Sequence, residues 1–565
     1  MGHKVTVEKI DWDGIADELE SIEKPKNPKS NRVYVIGAAF IGILLLFTSL
    51  NIMILAQTPS GFPTVIEPGS MASGVSYIVF ANNGVYYAKN GTTGAIDYNS
   101  AIFENVMQDC IDTLPDFGGI IELPVGIYSA TTQTIYINRS GVTIRGTIET
   151  DWDAPGGPAF GTFINRDSTN TLFSVNGNTR AGSVIFENLR LNGNSHDGSA
   201  IYAKAGADIT IRTCNFRGFW DYAIEIDNVW GVTIEDCKFF FNGAVVGAKA
   251  TIYIHGILGG LVSTHIRIAD TSIDSSYSHG IRISNVSDCA QISNVYMEGT
   301  FGTSETAIWL QESQGVITDS YISMWAIGIR ISGGFNQVIR STTLGMFEVY
   351  AIIMDTASNG VIDGNLILFA GNTSDEVAVV LFGGTVVMNN KFNENDGAAI
   401  WCRGGNNTIF GNTFLSNCRG ALWPQAAILV EEGDSTRIIA NYFTDPFGTQ
   451  LEGIFIYPSA TNTTISQNHF DNCVTPIENL GNGTEFESNI GYVSENSGQA
   501  NITGAVTTVT VNHGLATNPL IVIVTCNNTG AGNYSVSSIT LSQFVISFTN
   551  QPGTNEWLFY WYAEV

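Results

Sequence analysis

Glu225 and Asp227 stand two residues apart in the segment AIEID (223–227). On a strand, both carboxylates would share one face, about 6.6 Å apart along the backbone. Inverting glycosidases hold their acid and base roughly 6.5–9.5 Å apart, which leaves room for a water. His255 takes the place of Asp227 in TIYIH (251–255), and Arg282 takes that of Glu225 in GIRIS (280–284). A histidine beside a carboxylate can carry a proton, and a guanidinium can hold a carboxylated sugar. Glu225, Asp227, His255 and Arg282 are therefore the candidate catalytic set. Tyr202, Tyr253, Trp309 and Arg330 fall on the same outward column. They are candidate substrate-binding residues, because large exposed aromatics suit sugar rings and need a reason to be there. The plain alternative is a solvated outer face, since any long sheet shows some acid pair by chance.

A repeat must position these groups. The motif I-x-x-(N/C/S/T)-x-(F/I/L) recurs twelve times, from FENLRL (186–191) through IEDCKF (234–239) and IDGNLI (362–367) to ISQNHF (465–470). Most intervals are 22–29 residues, and one of 34 separates 234 from 268. Between the motifs lies a second repeat of Gly or Ala followed by alternating apolar residues, as in AIYAK (200–204) and AIWLQ (307–311). Two short strands per coil of about 25 residues is a solenoid pattern, and such coils must stack to bury their apolar sides. Asn188, Asn365, Asn390, Asn412, Asn441 and Asn468 are assigned to one inward place, where stacked amides satisfy one another. Twelve coils at about 4.8 Å each give a rod of roughly 58 Å. The second apolar repeat points its x positions to solvent, in the order Tyr202, Glu225, Tyr253, Arg282, Trp309, Arg330, Ile353, Val380, Trp401, Leu429, Phe455.

Val33 to Ala56 carries no charge and, at about 1.5 Å per residue, spans the hydrocarbon core of a bilayer as a helix. Lys24, Lys26, Lys29 and Arg32 precede it, and Glu67 is the first charge after it. The positive-inside rule then places 1–32 in the cytoplasm and 57–565 outside, as a single-pass signal-anchored chain at the cell membrane. A net charge of −27 weighs against nucleic acid as a partner. Eight cysteines without CxxC spacing make neither a disulfide framework nor a zinc site. Cys214, Cys237 and Cys402 read as buried thiols, and a bridge involving Cys402, Cys418 or Cys473 is left open. Ten N-x-S/T sequons, from Asn90 to Asn533, permit glycosylation outside the membrane.

Residues 77–128, from YIVFANNGVYYAKNG to GGIIELPVGIY, followed by GVTIRG (141–146), resemble the entry module of the pectate-lyase-like right-handed parallel β-helix family. The YYAKNG form is similar to one in archaeal surface proteins. The resemblance covers about 77–490 and implies an N-terminal helix cap, which Ala101 to Leu114 fits with Ile102, Val106 and Ile111 on one face. Polygalacturonase-like members carry N-T-D, D-D, G-H-G and R-I-K motifs, whereas this chain has SHG (278–280) and RIS (282–284 and 330–332). VTVNHGLATNPLIVIVT with the closing FYWYAEV resembles a small β-sandwich appended to viral tail and surface proteins.

The expected organisation is a cytoplasmic tail (1–32), an anchor helix (33–56), a linker (57–75), an all-β parallel β-helix (76–498) and a C-terminal β-sandwich (499–565). The expected function is glycan or polysaccharide binding at a cell or virion surface, in adhesion or envelope structure. The alternative is a glycoside hydrolase or polysaccharide lyase acting on acidic polysaccharide. No cofactor is required, although Asp221, Glu225 and Asp227 offer oxygens to Ca²⁺. The fold permits homo-oligomers.

Overall fold

Alternating apolar residues make strands, and coils of similar length let those strands stack in register. The computed structural model describes residues 74–565 apart from 148–160, 177–181, 244–248, 257–262, 287–288, 356–358, 372–376, 420–424, 449, 505, 528–532 and 551–552. The tail, the expected anchor helix over 33–56 and nearly all of the linker lie outside these. Among the described residues no helix is long and apolar enough to cross a membrane.

The strands containing the second repeat form a fourteen-stranded parallel sheet, from Ile135–Ile137 to Thr475–Asn479. The motif strands belong to a thirty-stranded sheet that takes in two further sides of the solenoid and the entry strands. The coils therefore have three sides, not the two expected, and most carry a separate strand on each. The motif itself turns a corner: Val232–Glu235 and Lys238–Phe240 flank one, and the next coil runs through it as the unbroken strand Ile266–Asp274.

The corner has a simple mechanism. The third motif residue takes a left-handed backbone, with φ of 52° at Thr213, Asp236, Asp270 and Asp319 and 50° at Asn294. That reversal turns the fourth residue inward. Asn188 is one of these corner residues (φ 59°), and Leu189 beside it is the buried one. The assignment of Asn188 to the inward column is thus corrected by one residue. Asn tolerates left-handed backbone and also stacks inside, so residue type alone does not fix its place.

The true ladder runs Asn365, Asn390, Asn412, Asn441, Asn468, Asn489. From Asn390 onward each Oδ1 accepts both the backbone N–H and the side-chain amide of the preceding member, for instance at 2.9 and 3.0 Å from Asn390 to Asn412. Each amide also donates to a carbonyl of an earlier strand, as Asn412 does to Val387 at 2.8 Å. Beside the ladder, Phe392, Phe414, Phe443 and Phe470 stack at 5.0, 4.7 and 4.8 Å between centroids. Burying each ring stabilises the rod by about 1.5–3 kcal/mol.

One outward column on consecutive coils reads Glu122, Arg145, Glu187, Arg212, Glu235. Its alternating charges pair across the rungs at 2.6 Å (Arg145–Glu122) and 2.5 Å (Arg212–Glu187). The cap helix α1 spans Phe103–Thr113, with Phe103, Val106, Met107, Cys110 and Ile111 buried; Ile102 is its N-cap rather than a core residue. Buried Glu104 accepts from the N–H groups of Thr131 and Thr132 at 2.7 and 2.6 Å, which pins the cap to the first coils. None of the cysteines is in a disulfide, so no bridge forms at Cys402, Cys418 or Cys473.

After the last coil strand, Glu485–Glu487, the chain forms two three-stranded antiparallel sheets beginning at Glu495–Gly504. Residues of both sheets, including Val511, Phe544, Trp557 and Phe559, enclose a separate core.

Candidate functional site

The outward column of the fourteen-stranded sheet has the expected register. Tyr202 pairs with Glu225, Glu225 with Tyr253, Tyr253 with Arg282, Arg282 with Trp309, and Trp309 with Arg330. One step along each strand pair, Lys204, Asp227, His255, Ser284 and Gln311 follow in the same order. Parallel in-register strands put such residues about 4.8 Å apart along the rod, so long side chains on neighbouring coils must touch.

Glu225, Asp227 and His255 come together. The His255 Nε2 lies 3.8 Å from Glu225 Oε1, and its Nδ1 lies 3.6 Å from Asp227 Oδ1. Both separations exceed hydrogen-bond length, and Nε2 is buried without a hydrogen-bond partner. The imidazole stacks on Tyr253 with centroids 4.5 Å apart. Asp227 is buried rather than solvated; it lies 3.3 Å from the Lys204 ammonium and accepts from Asn228 at 2.5 Å. Burial raises the Tyr202 phenol above its usual pKa, with Lys204 opposing and Asp227 and Glu225 adding to the shift. Asp221 accepts from Gly198 N–H at 2.9 Å and pairs with Lys249 at 2.9 Å. Of the three acids suggested for Ca²⁺, Asp221 and Asp227 are thus engaged by groups of the protein. Among the described residues no set of three or more His, Cys, Asp or Glu side chains is placed to hold a metal ion.

Arg282 does not join this cluster. Its guanidinium lies between two rings, 5.1 Å from Tyr253 and 4.4 Å from Trp309, and donates to Gln311 Oε1 at 3.1 Å. Arg330 covers Trp309 from the next coil at 5.1 Å and is held by Asp355 at 2.7 Å. Trp309 Nε1 donates to Ser332 Oγ at 3.0 Å, and that hydroxyl donates to Asp355. The result is a cation–aromatic ladder, Tyr253–Arg282–Trp309–Arg330, beside the carboxylate–imidazole cluster. Sequence register predicts these neighbours; it does not predict that the arginines lie over the rings.

His279, the histidine of SHG (278–280), begins the strand His279–Ser284 and is buried edge-on to Trp309 at 5.1 Å. Burial lowers its pKa to about 4, and the charges of Arg282 and Arg330 add to this. Glu305, 3.2 Å away, would favour the cation, but its carboxylate is 53% exposed and screened, so burial prevails. Histidine is therefore neutral in the fold. Because its folded pKa is depressed, its contribution to stability is full above the unfolded value near 6.5 and is lost as pH falls toward 4. Thermal melts are expected to drop over that window, and His279→Gln should flatten the drop. An unchanged pH profile in the variant would refute this role.

Farther along, the outward face changes character. Val380, Leu429 and Phe455 are buried despite their outward positions, because Val377, Ala398, Cys418 and Ala426 form a second apolar layer with them. The expectation of solvent-facing x positions fails there: side chains from the turns between strands supply the cover, and strand periodicity does not report it. The open polar face thus belongs to the coils from Tyr202 to Ser332.

Two family models match parts of the chain. Residues 262–447 match the description "Periplasmic copper-binding protein (NosD)", and residues 369–537 match "Right handed beta helix region". No curated protein matches. Among solved structures, the A-module of mannuronan C-5 epimerase AlgE4 from Azotobacter vinelandii is 13% identical, over 67% of this chain and 94% of that one, with a TM-score of 0.37. The tailspike protein of E. coli bacteriophage HK620, in complex with a pentasaccharide, is 10% identical over 82% and 89%, with a TM-score of 0.49. Tailspike protein 3 of bacteriophage CBA120 is 13% identical over 66% and 56%, with a TM-score of 0.40. These are likenesses at low identity and low score. The parallel in-register coils make the chain up to Glu485–Glu487 a parallel β-solenoid, and the right-handed β-helix description matches it over residues 369–537.

Proposed function

We propose that the face from Tyr202 to Ser332 binds a glycan, in a protein displayed at a cell or virion surface. The observation that carries this is the ladder Tyr253–Arg282–Trp309–Arg330, fixed by Gln311, Ser332 and Asp355. Fixed donors and aromatic rings along one sheet face match the alternating hydroxyl and C–H surfaces of a sugar chain, and they lose little entropy on binding. Charge narrows the class. Lys204, Lys249, Arg282 and Arg330 are set among Asp221, Glu225, Asp227, Glu305 and Asp355, so the face is close to neutral on a chain of net charge −27. Such balance favours a glycan with few charges over a dense polyanion, which the rest of the surface repels. The display reading rests on the apolar run 33–56 and its flanking cations, and it makes the β-helix extracellular.

A second reading has its own observation. Two carboxylates converge on an imidazole whose Nε2 has no hydrogen-bond partner. That is the equipment of general acid–base cleavage, with Glu225 and Asp227 as the pair and His255 as a proton carrier.

One experiment addresses both. Full-length chain in detergent is incubated with a panel of neutral and uronate-containing polysaccharides, with retention and released oligosaccharides both recorded. Retention of a neutral polysaccharide without release is expected. Retention of none refutes glycan binding. Release that disappears in Glu225→Gln and Asp227→Asn establishes the second reading in place of simple binding.

A further inference from the structure

We propose a second sugar site on a different side of the solenoid, in a furrow along the motif corner. The corner mechanism creates the furrow. The fourth motif residue points inward, so Cys237 and Thr271 leave no outward side chain between the corner residue and the strand that follows. One wall carries Asp236, Asp270 and Asn294, with Asn294 Nδ2 donating to Asp270 Oδ1 at 2.7 Å. The other carries Lys238, Ser272 and Tyr296, which lie in register on successive coils. The space between them is about 350 Å³ and open to solvent, within the range of small-molecule sites.

What points to a sugar is the ring wall. Tyr296 and Tyr321 stack on adjacent coils, 5.1 Å apart and 9° from parallel, and remain 46% and 39% exposed. Tyr296 is locked by its hydroxyl, which donates to Glu298 at 2.6 Å. A rigid aromatic wall beside carboxylate and amide oxygens offers apolar ring surface and hydrogen-bond acceptors to the same space. The charges narrow the class: Asp236 and Asp270 line the furrow with Lys238, Glu298 holds the Tyr296 hydroxyl, and Arg267 lies 4.0 Å from Asp270, so the acidic balance disfavours uronate or sulfated sugars. The ligand is a neutral or amino sugar. This site shares no residue with the Tyr202–Ser332 face, and its existence does not depend on that reading.

The test uses an array of neutral, amino-sugar and uronate oligosaccharides, probed with full-length wild type, the double variant Tyr296→Ala Tyr321→Ala, and Trp309→Ala. At least one neutral or amino-sugar oligosaccharide is expected to lose affinity about tenfold or more in the tyrosine variant while Trp309→Ala retains it. Unchanged circular-dichroism melts of the tyrosine variant, whose rings are exposed, will show that folding is not the cause. Loss confined to Trp309→Ala would overturn the furrow and leave the other face standing. Capture of no neutral or amino sugar, or loss only of uronate ligands, would also overturn it.

Discussion

Replacing Asn412 with Ala is expected to lower the unfolding free energy by about 4 kcal/mol, with the melting temperature falling accordingly. The size follows from what loses its partner. The Asn412 Oδ1 accepts the Asn390 backbone N–H and side-chain amide, at 2.9 and 3.0 Å. Its own amide donates to Val387 O, Phe410 O and Asn441 Oδ1. All but the Phe410 carbonyl sit in a buried column where water cannot replace them, and each buried orphan costs about 1–3 kcal/mol. Asn188→Ala, at a half-exposed corner, should cost only the left-handed backbone penalty of about 1–2 kcal/mol. Denaturant titration of both variants separates them; equal effects would mean that the ladder adds nothing beyond the corner conformation.

Trp309→Ala should weaken retention of the glycan found in the panel by roughly tenfold to a hundredfold. Trp309 is the one ring that carries both arginines, at 4.4 and 5.1 Å. Without it, Arg282 and Arg330 recover rotamer freedom that binding must then remove, and the site loses its stacking edge. Trp309→Phe keeps a platform but forfeits the bond to Ser332, so it should fall between the two. Retention by Trp309→Ala equal to wild type would remove the ladder from the binding surface.

Much of the site was legible because a repeat with period-two strands reduces register to counting. Aligning AIEID with TIYIH and GIRIS puts Glu225 beside Tyr253 and Tyr253 beside Arg282, as the pairings show. The third strand of each coil was not legible, since pieces such as Thr413–Leu415 are too short to display alternation. The frame error at Asn188 arose where one residue type serves two purposes. The cover over Val380 and Phe455 comes from residues outside the alternating strands, such as Val377, Ala398 and Cys418, and the stacking of arginine on tryptophan depends on side-chain path. Neither leaves a periodic trace.

The alternating column Glu122, Arg145, Glu187, Arg212, Glu235 also constrains how such a rod can change length. Loss of the Arg145 coil alone would set Glu122 against Glu187, and copying it alone would set arginine against arginine. Removal or duplication of two adjacent coils preserves the alternation. In this stretch, then, the rod grows or shrinks by even numbers, a parity rule written in charge.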